Sequence, residues 1–189
     1  LKEYCRFPTI SAQSRAQSET AAFVRRLLEE HGFEARELPT EGWPNVVYGQ
    51  WLVNERKPTL LMYQHYDVQP VDPLDEWKRD PFDPVVEDGQ FFARGCADTK
   101  GNLVAQLLAV QAWVAAAGGP PCNLKFVVEG EEEVGSPHFR SFVEAHRDDP
   151  PIRVDALFPR GGIDASHVAR EELVHERPSE TAVGTGDEN

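Results

Sequence analysis

The sequence predicts an α/β fold, a mostly parallel sheet flanked by helices. Three observations carry this. Strand-like and helix-periodic segments alternate along the chain. The runs TLLMY at 59–63 and NLKFVV at 123–128 are short, largely apolar and bounded by turn residues, as strands buried on both faces are. Two longer segments, 18–32 and 102–119, carry apolar residues at helical spacing. At 189 residues, the chain is long enough for one full hydrophobic core, or for one and part of a second.

The opening LKEYCRFPTISAQ reads as mid-helix and begins at Leu1, which gives the expectation that the natural chain starts upstream. Residues 18–32 form the first predicted long helix. Ser18 is placed to cap it, Glu19 suits its positive end, Phe23, Leu27 and Leu28 share a face, and Gly32 ends it. Segments 33–39, 45–53 and 59–65 read as strands, separated by turn-like TEGWP and NERKP. The proline- and aspartate-rich 69–84 fits neither period and reads as a long ordered loop. Asp88-Gly89 between apolar flanks marks a hairpin over 85–95.

Residues 102–119 follow as a helix buried along most of its length, with Leu103, Leu107, Val110 and Val114 on one stripe and Gly118 and Gly119 as the stop. A central strand is expected at 123–130, a helix opened by Pro137 at 137–149, and another buried strand at 153–158. The acidic stretch 170–189 lacks apolar period and reads as disordered or misplaced sequence.

A net charge of −13 argues against nucleic-acid and anionic-membrane partners, whose phosphates it would repel, and favours solubility or cation binding. No apolar run approaches the roughly 18 residues of a spanning helix, and no signal-peptide pattern opens the chain, so a cytoplasmic location is expected. Cys5, Cys96 and Cys122 lack paired spacing and read as free buried thiols.

Ligands of α/β sheets collect outside the carboxyl ends of strands. Three such places here carry ionisable residues: His65 with Asp67, Asp98, and Glu131 to Glu133. Imidazole nitrogen and carboxylate oxygen together are donors for a hard-to-borderline divalent cation. His65 and Asp67 share a face of an extended segment, so Asp67 can accept the second ring proton of His65. Each motif also has a plain structural account. His65 can be a hydrogen-bonded core or loop histidine and Asp67 a turn former. Asp98 can be a helix cap, Glu131 to Glu133 a solvated acidic loop, and Lys100 a surface charge.

Taken together, QHYDVQPVDPLDEWKRDPFDP at 64–84, RGCADTKGN at 94–102 and EGEEEVGSPH at 129–138 resemble the dizinc metallopeptidases that include aminoacylase, carnosinase, carboxypeptidase G and succinyl-diaminopimelate desuccinylase. The resemblance covers about residues 1–165. The tyrosine-rich YQHYDVQP and the loop holding Trp77 look most like the dipeptidase branch. The resemblance implies the catalytic-domain fold of such zinc peptidases and two divalent metal ions, zinc first, with manganese or cobalt as alternatives. It also implies that His65 ligates one metal, Asp98 bridges both and Glu133 ligates the second. Asp67 would orient His65, and Glu132 would be the general base. Glu131 falls in a variable slot, and the Asp98–Thr99 bond is expected cis. The implied reaction is hydrolysis of an amide bond in a dipeptide or small peptide. N-acyl-amino-acid deacylation or carboxypeptidase action are alternatives within the family.

The sequence departs from the family pattern near its end. Pro159 and Arg160 stand where a further carboxylate ligand is expected, with Asp155 and Asp164 the nearest substitutes. His167 and His175 match no ligand motif. The lid and dimerisation domain of the family is expected to be absent from this stretch, and with it the family homodimer. The expected organisation is therefore an N-terminal part of the catalytic domain over 1–165 and a polar tail over 166–189, disordered or out of frame. A non-catalytic fragment or interaction module is the competing reading.

Overall fold

The structure, a computed structural model, describes residues 1–42, 44–146 and 156–157. The expectations for Asp155, Pro159, Arg160, Asp164, His167, His175 and the tail 166–189 lie outside the described residues. In chain order the elements are α1 (Lys2–Cys5), α2 (Gln17–Glu30), β1 (Glu34–Leu38), β2 (Val46–Trp51), β3 (Thr59–His65), β4 (Val85–Glu87), β5 (Gln90–Phe92), α3 (Lys100–Ala117), β6 (Asn123–Glu129), α4 (Phe139–Ala145) and β7 (Ala156–Leu157).

Five strands form one sheet in the order β1-β2-β6-β3-β7. The parallel character is confined to β6, β3 and β7; β2 runs antiparallel to both β1 and β6. The sheet is thus mixed, and the α/β class holds. β6 is central and every one of its residues is buried, Asn123, Lys125 and Glu129 included, as its largely apolar sequence favours. Strand alternation sends Val47, Met62, Leu124, Phe126 and Val128 to one face, where Ala21, Phe23, Val24 and Leu28 of α2 and Leu103, Leu107 and Val110 of α3 pack on them. Val46, Tyr48, Leu61 and Val127 point the other way, onto Phe142 of α4.

Three helix expectations need correction. Pro137 does not open α4, which begins at Phe139 behind His138. Ser18 does not cap α2: the helix starts at Gln17 behind Ala16 with no side-chain cap. Its start is fixed instead by Thr20, whose hydroxyl donates to Ala16 O at 2.6 Å and lies 2.6 Å from the hydroxyl of buried Thr9. The helix α3 is buried on one stripe only. Leu108 and Trp113 on its other side are 61% and 50% exposed, because small alanines widen the apolar surface beyond what the sheet can cover.

The 69–84 segment is an ordered loop with one short turn at Leu74–Glu76. Trp77 Nε1 donates to Val71 O at 2.9 Å, Arg94 Nη2 donates to Pro70 O at 3.0 Å, and the Arg94 guanidinium lies 5.0 Å from the Trp77 ring centre. The β4-β5 hairpin turns at Asp88-Gly89, both with positive φ, as a two-residue turn of this kind demands. Among the described residues, no helix is long and apolar enough to cross a membrane.

Candidate metal centre

The site is built where β3 and β6 end side by side. Their parallel register sets His65 opposite Glu129, and Tyr66 N continues the ladder by donating to Glu129 O at 2.8 Å. Past β6 the chain turns at Gly130, where a Cβ would fall 2.4 Å from the Tyr66 ring, so only glycine lets the acidic loop pass this close. Past β3 comes Asp67, which is fully buried.

Asp67 joins the two strand ends. Its Oδ1 lies 3.2 Å from His65 Nδ1 and accepts the Glu132 amide at 3.3 Å; its Oδ2 accepts the Glu133 amide at 3.0 Å. One carboxylate therefore sets both the imidazole ring and the backbone of the acidic loop. With Nδ1 so engaged, His65 Nε2 faces outward, 3.2 Å from Asp98 Oδ1 and 3.6 Å from Glu132 Oε2.

Asp98 arrives from the other direction, just before α3. It is not the cap of that helix: Thr99 occupies the cap position. The Asp98–Thr99 bond is cis, as the resemblance implied. Thr99 is tied to β3, donating from its hydroxyl to Gln64 Oε1 at 2.5 Å, and it accepts from Asn102 Nδ2 at 2.8 Å. Gly101 allows this tight arrangement, since a Cβ there would sit 2.1 Å from Cys96 O.

The structure thus brings together His65, Asp67, Asp98, Glu132 and Glu133. Among the described residues, the set whose donor atoms all lie within 4.8 Å of one another is His65, Glu132 and Glu133. Asp98 approaches His65 but stands outside that tightest set, with its side chain 68% exposed.

The electrostatics follow from burial and crowding. Burial disfavours protonation of His65, but the hydrogen bond and charge of Asp67, with the charges of Glu132 and Glu133, outweigh it and raise the imidazole to about 9. Glu132 is raised above the usual carboxylate range, chiefly by burial; Glu133, Asp67 and Asp98 push the same way and His65 opposes them. Several carboxylates facing one imidazole, with their donor atoms converging, fit a divalent cation of the type bound by nitrogen and oxygen donors.

Several contributors lay outside the motif reading. Lys100 is not a surface charge. It is fully buried, donating from Nζ to Tyr4 O at 3.2 Å and Phe7 O at 2.7 Å, and burial lowers it to about 8. Glu129 is buried, accepts from Tyr63 OH and, at 2.8 Å, from Ser136 Oγ, and is raised by burial to about 7. Glu131 pairs with His138 Nδ1 at 2.7 Å. Gln69 Nε2 donates to Glu133 Oε2 at 2.8 Å and Glu133 O at 3.1 Å. A charged residue closing an otherwise apolar strand, as Glu129 does, was the one available signal.

Residues 61–178 match the model of Peptidase family M20/M25/M40. The chain belongs to this peptidase family. It is 38% identical over 117 residues to the cysteinylglycine-S-conjugate dipeptidase of Corynebacterium striatum, a match covering 62% of this chain and 26% of that protein. The fold is similar to that of an M20 family metallo-carboxypeptidase from Sulfolobus solfataricus, with TM-score 0.78 and 36% identity over 85% of this chain and 36% of the other. It is similar also to human carnosine dipeptidase 1, with TM-score 0.75 and 29% identity over 82% and 36% of the two chains. The chain spans about a quarter of the length of the curated relative and about a third of each solved chain.

Proposed function

We propose that the site is a two-metal centre for hydrolysing the amide bond of a dipeptide or small peptide. The observation that carries this is the convergence of His65, Glu132 and Glu133 at the joined ends of β3 and β6, with Asp98 3.2 Å from the same imidazole nitrogen. On this reading residues 1–165 are the N-terminal part of a catalytic domain. His65 and Asp98 hold one metal, Asp98 and Glu133 the other, and zinc is the first candidate, with manganese and cobalt as alternatives. When bound, such ions supply Lewis acidity, lowering the pKa of a coordinated water and polarising an amide carbonyl.

The protein's own groups do the rest. Asp67 keeps the proton of His65 on Nδ1, leaving the Nε2 lone pair directed outward. Glu132 takes a proton from the attacking water and returns it to the departing amine. Its affinity for protons is raised, first by burial, which favours the acceptance of a proton. The dipeptidase names of two similar proteins support dipeptides as substrates, and the metallo-carboxypeptidase neighbour supports longer peptides cut at the carboxyl end as the second reading.

Metal per chain, and turnover of a peptide panel by wild type and Glu132→Ala, test the proposal. Metal uptake with turnover that disappears in Glu132→Ala is expected. Turnover unchanged by that substitution would remove Glu132 from the role of base, and absence of metal uptake would remove the centre itself.

A further inference from the structure

We propose that Gln69 is a positioning residue for the metal centre, holding the Glu133 carboxylate in its ligating orientation from outside the coordination sphere. The inference rests on the metal-centre reading and adds to it a residue on the loop after β3.

Three observations carry it. The first is the contact itself. One amide nitrogen spans both ends of Glu133, donating to Oε2 at 2.8 Å and to the backbone carbonyl at 3.1 Å. With Oε2 held by this bond, the other carboxylate oxygen keeps both its lone pairs for a cation. A ligating carboxylate hydrogen-bonded in this way is restrained in rotation about its last torsion, and that restraint orients it before metal arrives.

The second is that Gln69, although exposed, stands on fixed backbone. On its N-terminal side Val68 is fully buried and its amide donates to Thr9 O at 2.8 Å. On its C-terminal side Pro70 O accepts from Arg94 Nη2 at 3.0 Å, and the Arg94 guanidinium is stacked 5.0 Å from the Trp77 ring centre. A flexible side chain anchored at both flanks loses less freedom on forming its hydrogen bond than one in a mobile loop. The third is complementarity with Asp67. That buried carboxylate fixes the Glu133 amide at 3.0 Å, so backbone N–H, backbone C=O and one carboxylate oxygen of Glu133 are all held by the segment 67–69. Together these contacts determine both where Glu133 sits and which way its carboxylate turns.

The experiment is Zn²⁺ titration of the full chain against a chromophoric chelator, with the Co²⁺ absorption spectrum as a second readout. Wild type, Gln69→Met, Gln69→Ala and His65→Ala are compared. Gln69→Met keeps about the length and volume of the side chain and removes its amide, and with it the donor to Glu133. Both Gln69 variants are expected to weaken Zn²⁺ binding by about tenfold, the low end of the effect of losing such an outer contact. The Co²⁺ spectrum should change, while the metal-free melting temperature stays at the wild-type value. Affinity within about twofold of wild type in both variants, with His65→Ala clearly weakened, would overturn the proposal and leave the metal centre standing. A loss of affinity accompanied by a lower metal-free melting temperature would assign Gln69 to folding instead. If wild type and His65→Ala bind Zn²⁺ alike, the metal-centre reading fails and this inference fails with it.

Discussion

Replacing Asp67 should damage the fold of the metal-free chain as well as its site. Its carboxylate is fully buried and accepts the amides of Glu132 and Glu133 at 3.3 and 3.0 Å. Asp67→Ala strands two amide donors, each costing about 1–3 kcal/mol when water cannot replace the partner. Removing its charge has two opposing electrostatic effects: it eases the crowding that raises Glu129 and Glu132, and it withdraws the partner that raises His65. The net expectation is a loss of about 3 kcal/mol, or about 10 °C in melting temperature for a domain of this size. Asp67→Asn should lose about half as much, because its amide oxygen still accepts one N–H while its NH₂ opposes the other. Urea unfolding in the presence of a chelator, read by two probes to check two-state behaviour, measures both. Losses below about 0.5 kcal/mol in both variants would refute the idea that one carboxylate ties the strand end to the acidic loop.

The pH dependence of the metal-free chain has a definite sign. His65 is raised to about 9 and Glu129 to about 7, so in both cases the folded state holds its proton more tightly than the unfolded state. The stability each contributes is complete below its unfolded value, about 6.5 for His65 and about 4.5 for Glu129, and is lost as pH rises through the folded value. Glu129→Gln should therefore flatten the stability profile between about pH 4.5 and 7, measured by urea midpoints across pH. On the proposed ligation a metal displaces the His65 proton, so Zn²⁺ affinity should rise with pH up to about 9, by at most about tenfold per unit for that one proton, as chelator competition would record. Gly101→Ala should cost about 1–3 kcal/mol in urea unfolding and weaken Zn²⁺ binding, since its Cβ would press on Cys96 O and displace the segment carrying Asp98. Substituting exposed Trp113 by serine should change stability by less than about 0.5 kcal/mol.

Much of this architecture was legible because single physical patterns dictate it. β6 needed only a largely apolar run and turn residues at its ends, and the β4-β5 hairpin needed only Asp88-Gly89. His65 and Asp67 could be paired by strand period alone, and their ring-to-carboxylate contact is 3.2 Å. Where the reading failed, the deciding partner was distant in sequence. Ser18 had the chemistry of a cap, but the start of α2 is governed by Thr9 and Thr20 meeting inside the core. Lys100 looked like a surface charge because nothing local shows that the carbonyls of Tyr4 and Phe7 converge on its ammonium. The exposed face of α3 was misjudged because an apolar composition states what a helix can bury and not how much surface its neighbours offer.

The same distinction applies inside the site. Residue types that bind cations announce themselves at strand ends, since ionisable groups there interrupt runs otherwise suited to a core. Asp67 aside, the groups that aim them do not, because glutamine, tyrosine and serine are ordinary in any strand or loop. Gln69, Tyr63 and Ser136 acquire meaning only through Glu133 and Glu129, which reach them across 64, 66 and 7 residues of sequence. The chemistry of such a centre is therefore written in short motifs, while its geometry is set by contacts that the fold alone creates. A substitution at Gln69 that leaves every proposed ligand intact and still weakens Zn²⁺ binding would show the two layers separately.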